Sequence, residues 1–404
     1  MINPTRSPAK IGLALAGGGP EGSIYEIGAV RALDECIEGL DFNDFDVFVG
    51  VSAGAFISSC LANGLSTAQL CRAIVKPEPG EHPFVPENFL TPAVGQFMRS
   101  SLKVPRLLAE AFWDVLTSPS DSSIFNSLSR LSRALPVGVF KNDPIRAYLK
   151  KIFSMRGRTD DFRKLRRKLV LVATDLDSGR PVRFGEPGLD HVPISTAVQA
   201  STALPGLYPP VLIDGRHYVD GVLLKTVHAS VALEEGADLV LCVNPIVPVD
   251  TIRSVELGVM RRGQLVDRGL PAVLAQTFRT LVHSRMGVGL SAYEDRYADS
   301  DVLVFEPRRD DYDMFFSNVF SFSNRKTVCE HAYQSIRQKL SRNRDRIEPI
   351  LERHGLRLRT EILEEERDLW ESVDLHGRRR GPTSHIKDRL DKALAQIEAM
   401  VNEG

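Results

Sequence analysis

The sequence predicts an α/β fold in which a mostly parallel sheet is flanked by helices. Three observations carry that expectation. Short runs of bulky apolar residues alternate with helix-length segments through the first 63 residues. Two strand-to-helix junctions are rich in glycine, GGGPEG at 17–22 and GVSAG at 50–54. The alternation returns after a proline-rich interval, with apolar strands at 168–174, 239–244 and 302–305. Strands that alternate with helices build a parallel sheet whose crossovers cover its faces.

Each element has its own justification. Ile11–Ala16 is a short apolar run and reads as a buried strand. Glu21–Glu38 reads as a helix, because Ile24, Ile27, Gly28, Val30, Arg31 and Leu33 share a mostly apolar face. Asp46–Val51 is a second strand, and Ala53–Asn63 a helix of small residues. Prolines at 77, 79, 83, 86, 92 and 105 then exclude long regular elements. Within that interval Val104, Leu107, Leu108, Ala111, Phe112, Val115 and Leu116 recur at helical spacing, with Trp113 beside them. Residues 76–140 therefore read as a helical insertion. Lys168–Thr174 is a strand with Pro181–Phe184 as its hairpin partner, and Ser195–Ala203 a short helix ahead of Pro205. Val211–Ile213 and His217–Val219 are short strands around an Asp-Gly turn. Leu239–Asn244 and Val302–Phe305 follow as strands, and beyond Thr327 the chain reads as helical to its end.

Composition narrows the function. The chain has 404 residues, 43% of them hydrophobic, and a net charge of -1, without the basic footprint of a general nucleic-acid binder. Its five cysteines form no CxxC pair and have no metal-ligand spacing with histidine. They read as buried thiols in a reducing compartment, and no metal or other cofactor is expected. The apolar run at 11–16 is too short for a signal peptide, and no window reaches the roughly 18 residues of a spanning helix. The expected location is cytoplasmic, with any membrane contact peripheral. Oligomeric state is left open.

The chemistry concentrates at the glycine-rich junctions. Gly50-Val51-Ser52-Ala53-Gly54 has the G-x-S-x-G pattern between a strand and a helix, where a sharp turn exposes a serine hydroxyl and a Cβ on either glycine would collide with neighbours. The bland alternative is a serine capping an ordinary turn. A nucleophilic serine needs a base. Asp220, at a strand end before Gly221, is the best-placed acid. Asp214 also precedes a glycine and fits the turn between the two short strands, Asp175 reads as structural, and His228 stays in reserve. Gly17, Gly18 and Gly19 lie where backbone N–H groups at a helix N-terminus can face a developing oxyanion. A phosphate cradle is the competing use. The glycines fit a dinucleotide fingerprint poorly, and the second strand ends in the serine motif where a ribose-binding acid would be expected.

Glycine loop, serine turn and Asp-Gly, in that order, resemble the patatin-like phospholipase family, in a bacterial-type form with GGGPEG as its loop. Ala173-Thr174-Asp175-Leu176 with Gly179-Arg180-Pro181, and Ala200-Ser201-Thr202-Ala203-Leu204-Pro205 to Pro209, extend the resemblance over roughly 8–60 and 165–250. The resemblance implies a three-layer α/β fold and a serine–aspartate dyad that hydrolyses lipid acyl esters without histidine. Ser52 would be the nucleophile, Asp220 its base, and Gly17, Gly18 and Gly19 the oxyanion loop. Gly22, Gly50, Gly54 and Gly221 would support these motifs. Residues 8–327 would form the catalytic domain and 328–404 a helical C-terminal region. Substrate would be a lipid or other acyl ester, and a membrane surface a peripheral partner.

Two positions depart from the family pattern. Glu21 stands where the family usually has Arg or Lys, and Val222 follows Asp220-Gly221 where a second glycine is common. An acid beside the oxyanion opposes developing charge unless it points away, and Lys225 is a candidate replacement cation. Two other functions stay open on the same residues, namely acyl transfer to an alcohol or thiol and a catalytically weak lipid-binding protein. The insertion and the Tyr312-Asp313-Met314-Phe315-Phe316 segment with Phe320 and Phe322 are the candidates for an acyl pocket or lid.

Overall fold

A computed structural model describes residues 9–75, 91–92, 137–258, 261–311 and 322–373. The helical stripe at 104–116 with Trp113, the aromatic segment at 312–320 and the side chain of Phe322 lie outside the described residues.

Strands β1 (Ile11–Leu15), β2 (Ile37–Glu38), β3 (Val47–Val51), β4 (Lys168–Asp175), β5 (Pro181–Phe184), β6 (Val211–Ile213), β7 (Arg216–Asp220), β8 (Leu239–Val243), β9 (Asp301–Phe305) and β10 (Arg357–Leu358) match the expected segments, apart from β2 and β10. The main sheet runs β6-β7-β4-β3-β1-β8-β9, with β5 also pairing β4. Its five-strand centre, β4-β3-β1-β8-β9, is parallel, and β5, β6 and β7 join antiparallel. Helices α1 (Gly19–Cys36), α2 (Ala53–Ala62), α3 (Thr67–Val75), α4 (Asp143–Phe153), α5 (Ile194–Ser201), α6 (Ala229–Glu234), α7 (Thr251–Glu256), α8 (Leu270–Arg296), α9 (Phe322–Arg342) and α10 (Arg344–Arg353) complete the main elements.

The two faces of the sheet differ in kind. Side chains alternate along a strand, so Leu13, Leu15, Phe48, Leu169, Leu171, Leu239 and Leu241 enter one core with α1 to α5, α9 and α10. Ala14, Ala16, Val47, Val49, Val51, Val170, Val172, Val240 and Cys242 enter the other, beneath α6 and α8. Larger residues face the thicker helical layer and smaller ones the thinner. Burial on both faces explains why these strands read as unbroken apolar runs.

Three details differ from the sequence reading. Helix α1 begins at Gly19, since Pro20 at its first turn is preset for helical φ. The C-terminal region is not wholly helical, because β10 returns to pair antiparallel with β2. Helix α8, of 27 residues, had no counterpart in the sequence reading.

Helix α9 lies against α1 across Gly28. A Cβ on Gly28 would sit 2.2 Å from the Cys329 carbonyl oxygen and 3.0 Å from Ala332 Cβ. Backbone cannot yield as a flexible side chain can, so the helices approach this closely only through glycine. Gly28→Ala is expected to cost about 2 kcal/mol or more by forcing α1 and α9 apart. Urea denaturation measures this, and an unchanged midpoint would show that the helix pair tolerates the separation.

Candidate functional site

Strand β3 ends at Val51, and Ser52 takes φ 52°, ψ −118° before α2 begins at Ala53. A positive φ at a residue with a Cβ is strained and persists only when its surroundings over-determine it. Those surroundings are identifiable. A Cβ on Gly50 would meet Ala55 Cα and the Gly54 carbonyl oxygen at 2.6 Å, and one on Gly54 would meet the Leu15 carbonyl at 2.4 Å. Both glycines are therefore contact requirements of the turn. The Ser52 N–H donates to Ser201 Oγ at 2.9 Å, and the Ser201 hydroxyl donates to the Val172 carbonyl at 2.6 Å. Ser201 thus ties the turn to β4. In the sequence Ser201 stands out only as part of the Ala200–Pro205 stretch.

Sheet register brings Asp220 to the same place. Val51 pairs with Val172 of β4, and Asp220 pairs with the next residue, Ala173. Strand β5 overlaps both pairings along β4, at Leu171 to Thr174, and so occupies the opposite edge. Strands β3 and β7 therefore meet end to end on one edge of β4, and their last residues converge. Gly221 lets the chain turn away there, since a Cβ on it would lie 2.4 Å from the Val172 carbonyl oxygen. The Asp220 carboxylate is 1% exposed. It accepts a hydrogen bond from the Val222 N–H at 2.9 Å, and the Ser52 hydroxyl lies beside it. Burial pushes its pKa up to about 7, against the opposing pull of the Ser52 hydroxyl and the Val222 N–H.

The glycine loop closes over this pair. A Cβ on Gly17 would meet Val222 Cγ2 at 2.8 Å and Ser52 Cβ at 3.3 Å. Gly18 and Gly22 both pack on Pro245, where added Cβ atoms would approach its ring to 2.6 and 2.9 Å. Gly19 alone faces open space, at φ +61°. The three amides are not equivalent. The Gly17 N–H donates to the Thr226 carbonyl at 3.3 Å. The N–H groups of Gly18 and Gly19, at the start of α1, have no acceptor among the described residues.

Charge around the loop differs from the expectation. Lys225 lies over the Tyr293 ring, 5.8 Å from its centroid. The cation beside Glu21 is Arg279 of α8, at 3.7 Å. Burial raises the Glu21 pKa to about 7, and Arg279 opposes that rise. Its second carboxylate oxygen is buried without a hydrogen-bond partner. One turn further along α1, Glu26 is fully buried with neither oxygen partnered, and burial holds its pKa well above the carboxylate range. Nothing in the sequence patterning singled out Glu26.

The competing acids and histidines stand elsewhere. Asp214 is the positive-φ residue of the β6–β7 turn and bonds exposed His191 at 3.0 Å. Asp175 accepts the N–H groups of Asp177 and Ser178 and closes the β4–β5 turn. His228 is buried at the start of α6, its Nε2 has no partner, and burial pulls its pKa down to about 3. Among the described residues, no group of three or more His, Cys, Asp or Glu is gathered as a metal ion would require.

A family model described as patatin-like phospholipase matches residues 13–233, which contain the glycine loop, Ser52 and Asp220. Among solved structures, VipD from Legionella pneumophila is 16% identical, with 83% of this chain and 67% of that chain covered and a TM-score of 0.38. The type III effector protein ExoU is also 16% identical, over 83% of this chain and 53% of that chain, with a TM-score of 0.34. The alignment thus spans about half of ExoU. A complex of SpcU with ExoU from the type III secretion system of Pseudomonas aeruginosa is 17% identical over 49% of this chain and 38% of that chain, with a TM-score of 0.24. With more than half of its length matched by the family model, the chain belongs to the patatin-like phospholipase family.

Proposed function

We propose that this protein is a serine hydrolase of lipid acyl esters in which Ser52 and Asp220 act as a dyad. The observation that carries the reading is the convergence of the strained Ser52 turn and the buried Asp220 carboxylate at the end of β4, where burial raises the carboxylate pKa to near neutrality. A general base works best when its pKa is close to the operating pH. Ser52 Oγ attacks the acyl carbonyl carbon and passes its proton to Asp220. The negative charge that develops on the carbonyl oxygen is met by the free N–H groups of Gly18 and Gly19 and by the positive end of α1. Collapse of the tetrahedral intermediate breaks the ester bond, and the proton on Asp220 goes to the departing alkoxide. Water then attacks the acyl-serine with Asp220 again as base, releasing the fatty acid and restoring Ser52. Gly17 serves as the spacer that lets the loop approach Ser52, because its own amide is held by Thr226.

Ser52→Ala and Asp220→Asn are each expected to lower turnover of a short acyl ester by on the order of 10³-fold. A fluorophosphonate probe should label the wild-type protein and spare Ser52→Ala; equal labelling would remove Ser52 from the mechanism. Below about pH 7, kcat/KM should fall about tenfold per pH unit as Asp220 takes up a proton, and above it the profile should level. A rate that stays flat from pH 5 to 8 contradicts Asp220 as base.

The same carboxylate makes a stability prediction. Between the ordinary carboxylate range and pH 7 the folded chain keeps a proton on Asp220 that the unfolded chain has released. Stability therefore falls as pH rises through that window, by about 4 kcal/mol in the limit. Asp220→Asn removes this term. The variant should melt higher than wild type at pH 8, with the difference shrinking toward pH 5. A lower melting temperature at pH 8 would mean that the carboxylate's hydrogen bonds outweigh its desolvation.

Glu21 and Arg279 form a partly buried pair, with side chains 21% and 24% exposed. Glu21→Arg should destabilise the chain by setting two cations together, and adding Arg279→Glu should restore part of the loss. A coupling energy of about 1 kcal/mol from the double-mutant cycle is expected. Additive effects of the two changes would mean that the pair does not interact in solution.

A further inference from the structure

Helix α8 is apolar on both sides. Its inner side packs Phe278, Val282 and Met286 against the smaller core, and Gln276 holds Val249 through both its amide oxygen and its amide nitrogen, at 3.1 and 2.8 Å. Its outer side should then be polar, as on any helix that covers a core. It is not. Leu270, Leu274, Leu281 and Val288 recur at helical spacing and are 69, 57, 61 and 73% exposed. Among the exposed side chains described between 270 and 288, Arg285 is the one charged residue. The hydroxyls of Thr277 and Thr280 are satisfied within the helix, donating to the carbonyls of Val273 and Gln276, each at 2.8 Å.

We propose that the outer face of α8 docks this protein onto the surface of a lipid bilayer that carries anionic head groups. Charge selects that occupant. Residues 251–288 hold six arginines and two acids, in a chain whose net charge is -1. Arg253 pairs with Asp310 and Arg279 with Glu21, and Arg261, Arg262, Arg268 and Arg285 are exposed at the surface. Exposed aliphatic residues interspersed with arginines are the composition of an interfacial anchor, with side chains entering the acyl region and cations meeting the head groups. Position supports the same occupant. Arg279 reaches Glu21 in the glycine loop, and Arg285 donates to the Leu223 carbonyl just after Asp220-Gly221. The helix that carries the docking face therefore passes beside the candidate site, which keeps the path of a lipid leaving the bilayer short. This inference rests on the lipid-hydrolase reading for its purpose but not for its test.

The test uses the full-length protein and vesicles of ether-linked lipids, which contain no ester to hydrolyse. Sedimentation should carry the protein down with vesicles containing phosphatidylglycerol and much less with pure phosphatidylcholine. Binding should weaken in about 1 M salt, where charges are screened beyond roughly 3 Å. The variant Leu270→Glu/Leu274→Glu/Leu281→Glu should bind about tenfold more weakly or worse, while its turnover of a soluble short-chain ester stays at the wild-type value. Lack of vesicle binding by wild type, or equal binding by the variant, overturns the proposal whatever the esterase result. A wild-type dimer that the variant splits, without vesicle binding, would assign the face to a second copy and also overturn it. The salt and head-group comparisons need no variant, so the proposal stays testable if the triple substitution does not fold.

Discussion

One edge of strand β4 serves two partners in succession, and the candidate site depends on that sharing. The first part of the edge pairs in parallel with β3, and the last three residues pair antiparallel with β7. Two strands that end against each other cannot both continue. One must leave through the Ser52 turn and the other through Asp220-Gly221. The meeting of serine and aspartate is thus a consequence of hydrogen-bond register, which a slip of one residue would undo by reversing every side chain. Gly221, Gly50 and Gly54 are needed because the departing chains press on the backbone of Val172, Ala55 and Leu15. Ser201 bonds the Ser52 amide and the Val172 carbonyl, so the strained turn is held by the same strand that sets the register.

Burial raises the pKa of three carboxylates, Glu21 and Glu26 in the first turns of α1 and Asp220 at the end of β7. Their circumstances differ. Asp220 accepts the Val222 N–H, lies beside the Ser52 hydroxyl and can ionise near neutrality. Neither oxygen of Glu26 has a hydrogen-bond partner, and burial holds its pKa well above the carboxylate range. Glu21 sits between these limits because Arg279 offsets part of its desolvation. The acid in the GGGPEG loop does not face the site as an uncompensated charge. Its ion pair with Arg279 couples the loop to α8, a helix far along the chain.

Much of this was legible in the sequence, and what was hidden had physical reasons. Apolar runs gave the parallel strands within a residue or two, because strands buried on both faces must be apolar throughout. GVSAG and the Asp-Gly pair pointed to Ser52 and Asp220 because the turn geometry restricts which residues fit. The distinction among Gly17, Gly18 and Gly19 was not legible, since it depends on Thr226 lying opposite one amide. Arg279 as the partner of Glu21 is a long-range contact with no local signal. Helix α8 was missed because its inner and outer sides are both apolar, which erases the contrast that marks an amphipathic helix, and because Gly287 and Gly289 sit inside it. The two-residue pairing of β2 with β10 is too short for any periodicity to register.

The unequal layers explain why α8 exists in this form. Leucine and phenylalanine on one face of the sheet meet α1, α2 and α9, which cover it deeply. Valine, alanine and cysteine on the other face leave room for little more than one close helix, the six-residue α6. That helix is too short to shield the β8–β9 side, so Phe278, Val282 and Met286 of α8 must finish the second core. A single helix that closes a thin layer has one side inside the protein and the other at the molecular surface. Selection for core closure accounts for the inner side alone. The outer apolar side, whose threonine hydroxyls are satisfied by the helix's own carbonyls, answers to a different requirement on a helix that reaches the glycine loop and the turn after Asp220.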